Sequence, residues 1–210
     1  MTSWNKDPDA LMTLRHELGL YLEGSRDSLP VLETEGDRPR AAYYINFQDP
    51  DGEPLTQPLV VDGNEYLKVG WVPFDDALGY GWYGENVEDP GIALYGYSGN
   101  DAFSEVDRSY IYDDYGRPAL FEFSLAPGQY EVTVGVGNPD RGYPGDPHNV
   151  VEGQVLVDDE LTTDGIPTIV RTITVDLSDG LLSLEVGGRS EVTGDFAYTF
   201  VGFMDIVPTG

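Results

Sequence analysis

From Leu120 to Pro208 the chain repeats one pattern, short runs in which every second residue is apolar, broken by Gly, Pro, Asp and Asn. In LFEFSLAPGQYEVTVGVGNPD, Phe121, Phe123 and Leu125 fall on one side of an extended chain and Glu122 and Ser124 on the other. Tyr130, Val132, Val134 and Val136 keep the same period of two, and HNVVEGQVLVDD, RTITVDLSDGLLSLEVGG and FAYTFVGFMDIVP continue it. That period belongs to strands with one buried face, and turn residues between the runs make successive strands antiparallel. The pattern predicts a β-sandwich. In FAYTFVGFMDIV both sets are apolar, with Phe196, Tyr198, Phe200, Met204 and Ile206 on one side and Val201, Phe203 and Val207 on the other. Such a strand is central and covered on both faces.

Upstream, AAYYINFQ alternates in the same way and opens the β-domain, with further strands expected near Pro58 to Val61, Tyr66 to Trp71 and Ser109 to Tyr112. Pairing this first strand beside the last would close a jelly roll with adjacent termini. Between Pro73 and Asp107 the periodicity is poor and Gly, Tyr and Asp dominate, which reads as a long loop system able to carry function. Residues 1–41 differ. Asp7 suits a helix cap, Pro8 a first helical position and Gly24 a helix end, and Leu11, Leu14, Leu18, Tyr21 and Leu22 share one helical face. This amphipathic helix either plugs an open end of the sandwich or docks on a partner subunit through Leu11, Leu14, Leu18 and Leu22. The polar, proline-containing SRDSLPVLETEGDRPR that follows is an extended connector. The expected organisation is therefore helix and connector over 1–41 and an all-β jelly-roll sandwich over 42–210.

A chain of 210 residues is long enough for one such domain, which removes roughly 70% of its unfolded surface from water. Eleven Lys and Arg oppose 38 Asp and Glu, a formal charge of −27. Charge of that size repels itself unless salt screens it or divalent cations bind it, which points to a saline setting such as that of halophilic archaea and their viruses, with marine or calcium-rich secretion as the milder alternative. It also argues against a nucleic-acid backbone as ligand, because no basic stripe exists to release counterions. Cysteine is absent, so disulfides and thiolate metal sites are excluded. No apolar run approaches the roughly 18 residues that span a bilayer, and MTSWNKDPDALM lacks the pattern of a signal peptide.

Several ordered landmarks resemble malectin-like and related galactose-binding-like jelly rolls, including modules attached to pectin- and rhamnogalacturonan-active enzymes. They are the opening strand YINFQ, the segment DDALGYGWYG, the Asp107-Arg108 pair followed by FEFSLAPGQYEVTVGVGNP, the later strand HNVVEGQVLVDDE and the closing VGFMDIVP, together spanning about Ala42 to Pro208. SYIYDDYGRP and the acidic stretch from Glu85 to Glu105 depart from that pattern. The resemblance implies a non-catalytic, sugar-recognising domain, often with a structural calcium ion.

Sugar recognition needs aromatic faces for the apolar side of a pyranose and planar polar groups for its hydroxyls. The loops supply Trp82, Tyr83, Tyr95, Tyr97 and Tyr143 of the first kind, and Asp107, Arg108, Arg141, His148 and Asn149 of the second. Against this stands the plainer reading in which Tyr80 and Trp82 pack as a lid and Arg108 pairs with Asp107. Calcium takes six to eight oxygen ligands, and Asp49, Asp51 and Asp205 would converge if the first and last strands are adjacent; Asp113 and Asp114 form a second candidate. For catalysis only His148, at a turn, could serve a triad, and no G-x-S-x-G is present. No carboxylate pair stands out for a glycosidase, and a lyase would draw on Tyr143, His148 and Arg141.

These residues point to a carbohydrate-binding, glycan-adhesion domain on an extracellular surface, with a glycan or glycoprotein as partner. The alternative is a structural surface component, a capsid decoration, turret or tail protein, of a virus of a halophilic archaeon, its helix anchored to other subunits and the jelly roll on the virion surface. A polysaccharide lyase or hydrolase comes third.

Overall fold

The structure, a computed structural model, describes residues 40–49, 59–89, 94–100, 103–114, 116–137, 147–162 and 168–210. Thirteen strands among them form two sheets. The larger has the order β11 (Thr168–Leu177), β8 (Gly128–Gly137), β13 (Tyr198–Pro208), β1 (Tyr43–Phe47), β3 (Asn64–Val69), β2 (Leu59–Val61). On one end of β13 it also carries β6 (Ser109–Asp114), with β5 (Leu94–Tyr97) outside it. The smaller sheet runs β10 (Gln154–Asp158), β9 (His148–Val151), β12 (Leu181–Val186), β7 (Ala119–Ser124), β4 (Tyr80–Tyr83). From β7 onward the chain passes back and forth between the sheets, so the two apolar faces close on each other.

The expected pairing of the first and last strands is present. β1 runs antiparallel to β13, with Tyr43 opposite Ile206 and Ile45 opposite Met204. On its other side β1 pairs β3 in parallel, an arrangement that the antiparallel reading did not include. The helix proposed for the first 41 residues, with Leu11, Leu14, Leu18 and Leu22, lies outside the described residues. Chain entry into the sandwich is fixed by Arg40, whose guanidinium donates to the carbonyls of Gln129 and Thr209 at the edge of the domain.

The core is the one the alternation selects. Ile45, Phe47, Phe121, Phe123, Val132, Val134, Val136, Leu184, Met204 and Ile206 are all fully buried between the sheets. β13 is covered on both faces, but its sides differ from those the sequence suggests. Its register against β8 shifts between Val201 and Phe203, and this bulge inverts the alternation halfway along the strand. Phe200 and Phe203 therefore share the outer face, while Val201 joins Met204 and Ile206 in the core. A simple count by twos cannot include an extra residue.

Outside the larger sheet a second cluster gathers Leu59, Tyr66, Val106 and Phe203, with Tyr44 and Val61 against it. Phe203 lies where Gly135 has no side chain, since a Cβ there would stand 2.1 Å from the ring. Buried Asn46 ties the cluster down. Its amide donates to the carbonyls of Val106 and Gly202, and its oxygen accepts from the Ser109 hydroxyl at 2.7 Å. The 3-10 turn Glu105–Asp107 is held against the sheet in this way. The region expected to be one long loop, Pro73 to Asp107, thus contains β4, the short helix α1 (Glu85–Glu88), β5 and that turn. Glycine and tyrosine hide the strand period there, because Gly81 and Gly96 stand where neighbours come close. No helix among the described residues is long and apolar enough to cross a membrane.

Candidate functional site

The residues proposed for one recognition surface occupy three places. Trp82 belongs to the core, with 1% of its surface exposed and its ring centroid 4.6 Å from Trp71, 5.0 Å from Phe121 and 5.4 Å from Phe47. Its expected role as a stacking platform is therefore corrected: no ring face is open to a ligand. The inward position follows from β4 pairing with β7, where Trp82 is opposite Phe121. Tyr83, one residue on, faces outward and stacks on Phe74 at 5.4 Å. Tyr95 packs against the core and its hydroxyl accepts the Trp71 N–H at 3.1 Å.

The second place is the start of β6, where the Tyr97 hydroxyl accepts a hydrogen bond from Arg108 and the guanidinium stands 5.3 Å from the ring centroid. Arg108 also donates from Nε to the Ser98 carbonyl at 3.1 Å. Its described partners are thus Tyr97 and Ser98. The adjacent Asp107 has one buried oxygen without a hydrogen-bond partner, and burial raises its pKa.

The third place lies on the smaller sheet, at the start of β9. His148 Nδ1 is 3.1 Å from Asp158 Oδ1 between buried side chains, a close approach off the line of a hydrogen bond. The Asp158 Oδ2 accepts the Glu191 N–H at 2.8 Å, and the His148 N–H donates to the Thr199 hydroxyl at 2.9 Å. Asn149 is fully buried, and neither polar atom of its side chain has a hydrogen-bond partner. Burial raises the pKa of nearby Glu185, and the His148 charge acts in the opposite sense. Since β5 and β9 lie in different sheets, His148 and Asn149 do not join Tyr97 and Arg108. Arg141 and Tyr143 lie outside the described residues.

Of the carboxylates proposed for calcium, Asp205 lies on β13 and Asp49 just past the end of β1. Asp205 is opposite Tyr44, and Asp49 is five residues further along, past the bend at Gln48, at most about 16 Å at strand rise. Asp205 instead accepts a hydrogen bond from the Tyr66 hydroxyl; burial raises its pKa and that bond lowers it. The Tyr66 pKa is raised by burial first and by the Asp205 charge next. Asp51 lies outside the described residues, and Asp113 and Asp114 are placed as strand residues opposite Thr199 and Tyr198. Among the described residues no three His, Asp or Glu side chains form a group able to hold a metal ion.

A different assembly is prominent. Tyr198 and Phe200 alternate with the buried Ala197, Thr199 and Val201 and so lie on the outer face of the larger sheet, while Phe196, just before β13, bridges to Arg189. Pairing of β13 with β6 puts Phe200 opposite Tyr112. The rings interlock: Tyr198 to Phe200 4.7 Å, Tyr112 to Phe200 5.3 Å, Tyr110 to Phe200 5.4 Å and Tyr112 to Tyr198 5.8 Å between centroids. Tyr110 settles over Gly96, where a Cβ would fall 2.2 Å from its ring. Tyr110 and Phe200 are buried, Tyr112 and Tyr198 half-buried, and Phe196 is 39% exposed with the Arg189 guanidinium 3.8 Å from its ring centroid. The stripe of four rings thus runs from buried Tyr110 and Phe200 to half-buried Tyr112 and Tyr198. Its sequence signal is aromatic residues at every second position in YIY and FAYTF, but their meeting depends on a strand pairing that no local pattern shows.

No protein family and no curated protein matches the sequence. Solved structures share the fold. A calcium-binding mutant of Bacteroides uniformis beta-glucuronidase 2 aligns with a TM-score of 0.56 at 9% identity, over 80% of this chain and 18% of that one. The ANX1 ectodomain from Arabidopsis thaliana gives 0.54 at 7% identity, over 80% and 42%. The receptor FER, in a complex with the plant peptide RALF23 and LLG2, gives 0.51 at 11% identity, over 85% and 41%. The chain spans less than half the length of each. At such identities the likeness establishes the sandwich fold alone.

Proposed function

We propose that this chain is a non-catalytic binding domain of jelly-roll type that recognises carbohydrate through the aromatic stripe of Tyr198 and Tyr112. The observation that carries the reading is the stripe itself. Rings that point outward from a sheet and are braced from below by Phe200 and Tyr110 offer preordered apolar faces, and their hydroxyls supply polar contacts at little entropic cost. The solved neighbours support a binding role in general: one was crystallised with a peptide partner and another is a receptor ectodomain. The charge of −27 favours uncharged glycans over acidic ones and suits an extracellular, saline setting.

The test is a glycan array at molar salt with the intact chain, Tyr112→Ala, Tyr198→Ala and, as a control on another face, Tyr97→Ala. Saturable binding that falls at least tenfold in the first two variants and survives in the third is expected. Absence of binding to any glycan by the folded wild type refutes the reading.

A further inference from the structure

Each sheet of the sandwich ends in strands whose outer backbone groups have no ladder, and an unprotected edge is a template for another strand. Most of the described edges are blunted. β2 has three residues, β5 has four, β10 is interrupted by a register shift between Val155 and Val157, and β4 is covered where the Trp82 backbone bonds Val72 and Phe74. The other edge of the larger sheet is different. β11 is ten residues long and pairs β8 without a break from Thr168 to Leu177, and among the described residues no strand pairs its other side.

The composition of β11 is also unlike the rest of the chain. TIVRTITVDL has no Lys, Pro or Gly, the residues that usually protect an edge, and its one Arg and one Asp cancel in a chain of charge −27. Val170, Thr172, Thr174 and Asp176 are exposed. Val155 on β10 and Leu161 on the connector, both from the segment just before β11, add apolar surface, 40% and 54% exposed.

We propose that β11 is an interface between two copies of this chain, paired antiparallel across a two-fold axis so that the larger sheets continue through the dimer. Charge is what selects a second copy. Two bodies of −27 meet most readily where acidic groups are few, and β11, with Asp176 its one acidic residue in ten, supplies that place. Self-pairing centred on Thr172 or Ile173 sets Asp176 opposite Thr168 or Val170, and Arg171 opposite Ile173 or Val175, so no like charges face each other. Arg171, held by Glu160, is free of such a clash in either register. The rest of each surface still repels, so the dimer strengthens as salt rises, the reverse of an interface built on ion pairs.

The test is the mass of the intact chain in solution by light scattering, from about 0.1 M to molar salt. The expected result is one chain at low salt and two at high salt. At the lowest salt that pairs the wild type, Thr172→Glu/Thr174→Glu and Thr172→Lys/Thr174→Lys should each run as single chains, and an equimolar mixture should regain the two-chain mass. Both positions are exposed, and an unchanged circular dichroism spectrum verifies folding. A single chain at every salt overturns the proposal, as does a two-chain mass that either variant retains alone.

Discussion

Replacing Gly135 by Ala tests how the outer cluster is packed. The new Cβ would lie 2.1, 2.4 and 2.8 Å from Phe203 Cε1, Cδ1 and Cζ, against about 3.5–4.0 Å for carbon atoms at rest. The ring must retreat by roughly 1.5 Å to restore that separation. It cannot do so freely, because Phe203 is 7% exposed and packs with Leu59, Tyr66 and Val106. Overpacking of this kind costs up to about 3 kcal/mol, and the backbone gain of Ala over Gly in a strand returns up to about 1 kcal/mol. A net loss of about 2 kcal/mol is expected. In urea, with a slope of about 2 kcal/mol per molar, the midpoint should fall by about 1 M. Tryptophan fluorescence in molar salt reads the transition. Phe203→Leu on its own should cost about 1 kcal/mol, and the double variant should be more stable than the sum by at least about 1 kcal/mol. A neutral Gly135→Ala, or strict additivity of the pair, would refute the packing argument.

Trp82→Ala should destabilise the fold by about 3–5 kcal/mol, seen as a lower unfolding midpoint, while the folded fraction keeps its glycan affinity. Asn46→Ala leaves the carbonyls of Val106 and Gly202 and the Ser109 hydroxyl without their partner; a loss of about 2–4 kcal/mol is expected, with faster amide exchange in the 105–109 segment. The carboxyl groups of Asp107, Glu185 and Asp205 have pKa values raised above the unfolded range. Each therefore contributes stability that is complete below the ordinary carboxylate pKa of about 4 and is lost as pH rises through its raised folded value. Thermal unfolding in molar salt should occur at higher temperature at pH 5 than at pH 7. Asp107→Asn should raise the pH 7 midpoint and flatten that dependence, and a midpoint that falls on mild acidification would contradict the burial of these groups.

Much of the sandwich is visible in local pattern. Successive Cβ atoms on a strand point to opposite faces, so the alternation in FEFSL, YEVTVGV and LLSLEV identifies both the strands and their buried sides without reference to any partner. Turn glycines and prolines locate the ends for an equally local reason. The first strand could be set beside the last because both are apolar and the sheet has to close around one core.

What depends on contacts distant in sequence was not legible in this way. Trp82 stands in a stretch rich in Gly and Tyr that looks like a loop, and only its pairing opposite Phe121 turns it into the core. The bulge in β13 is an event between two strands, so the outward turn of Phe203 beside Phe200 follows from the register with β8 rather than from the order of residues. Asp49 and Asp205 belong to neighbouring strands as the pattern suggests, yet their separation is set by a register that composition does not encode. The aromatic stripe arises when YIY and FAYTF, more than eighty residues apart, are laid side by side. Periodicity decides which way a side chain faces; only the assembled sheets decide what it meets there.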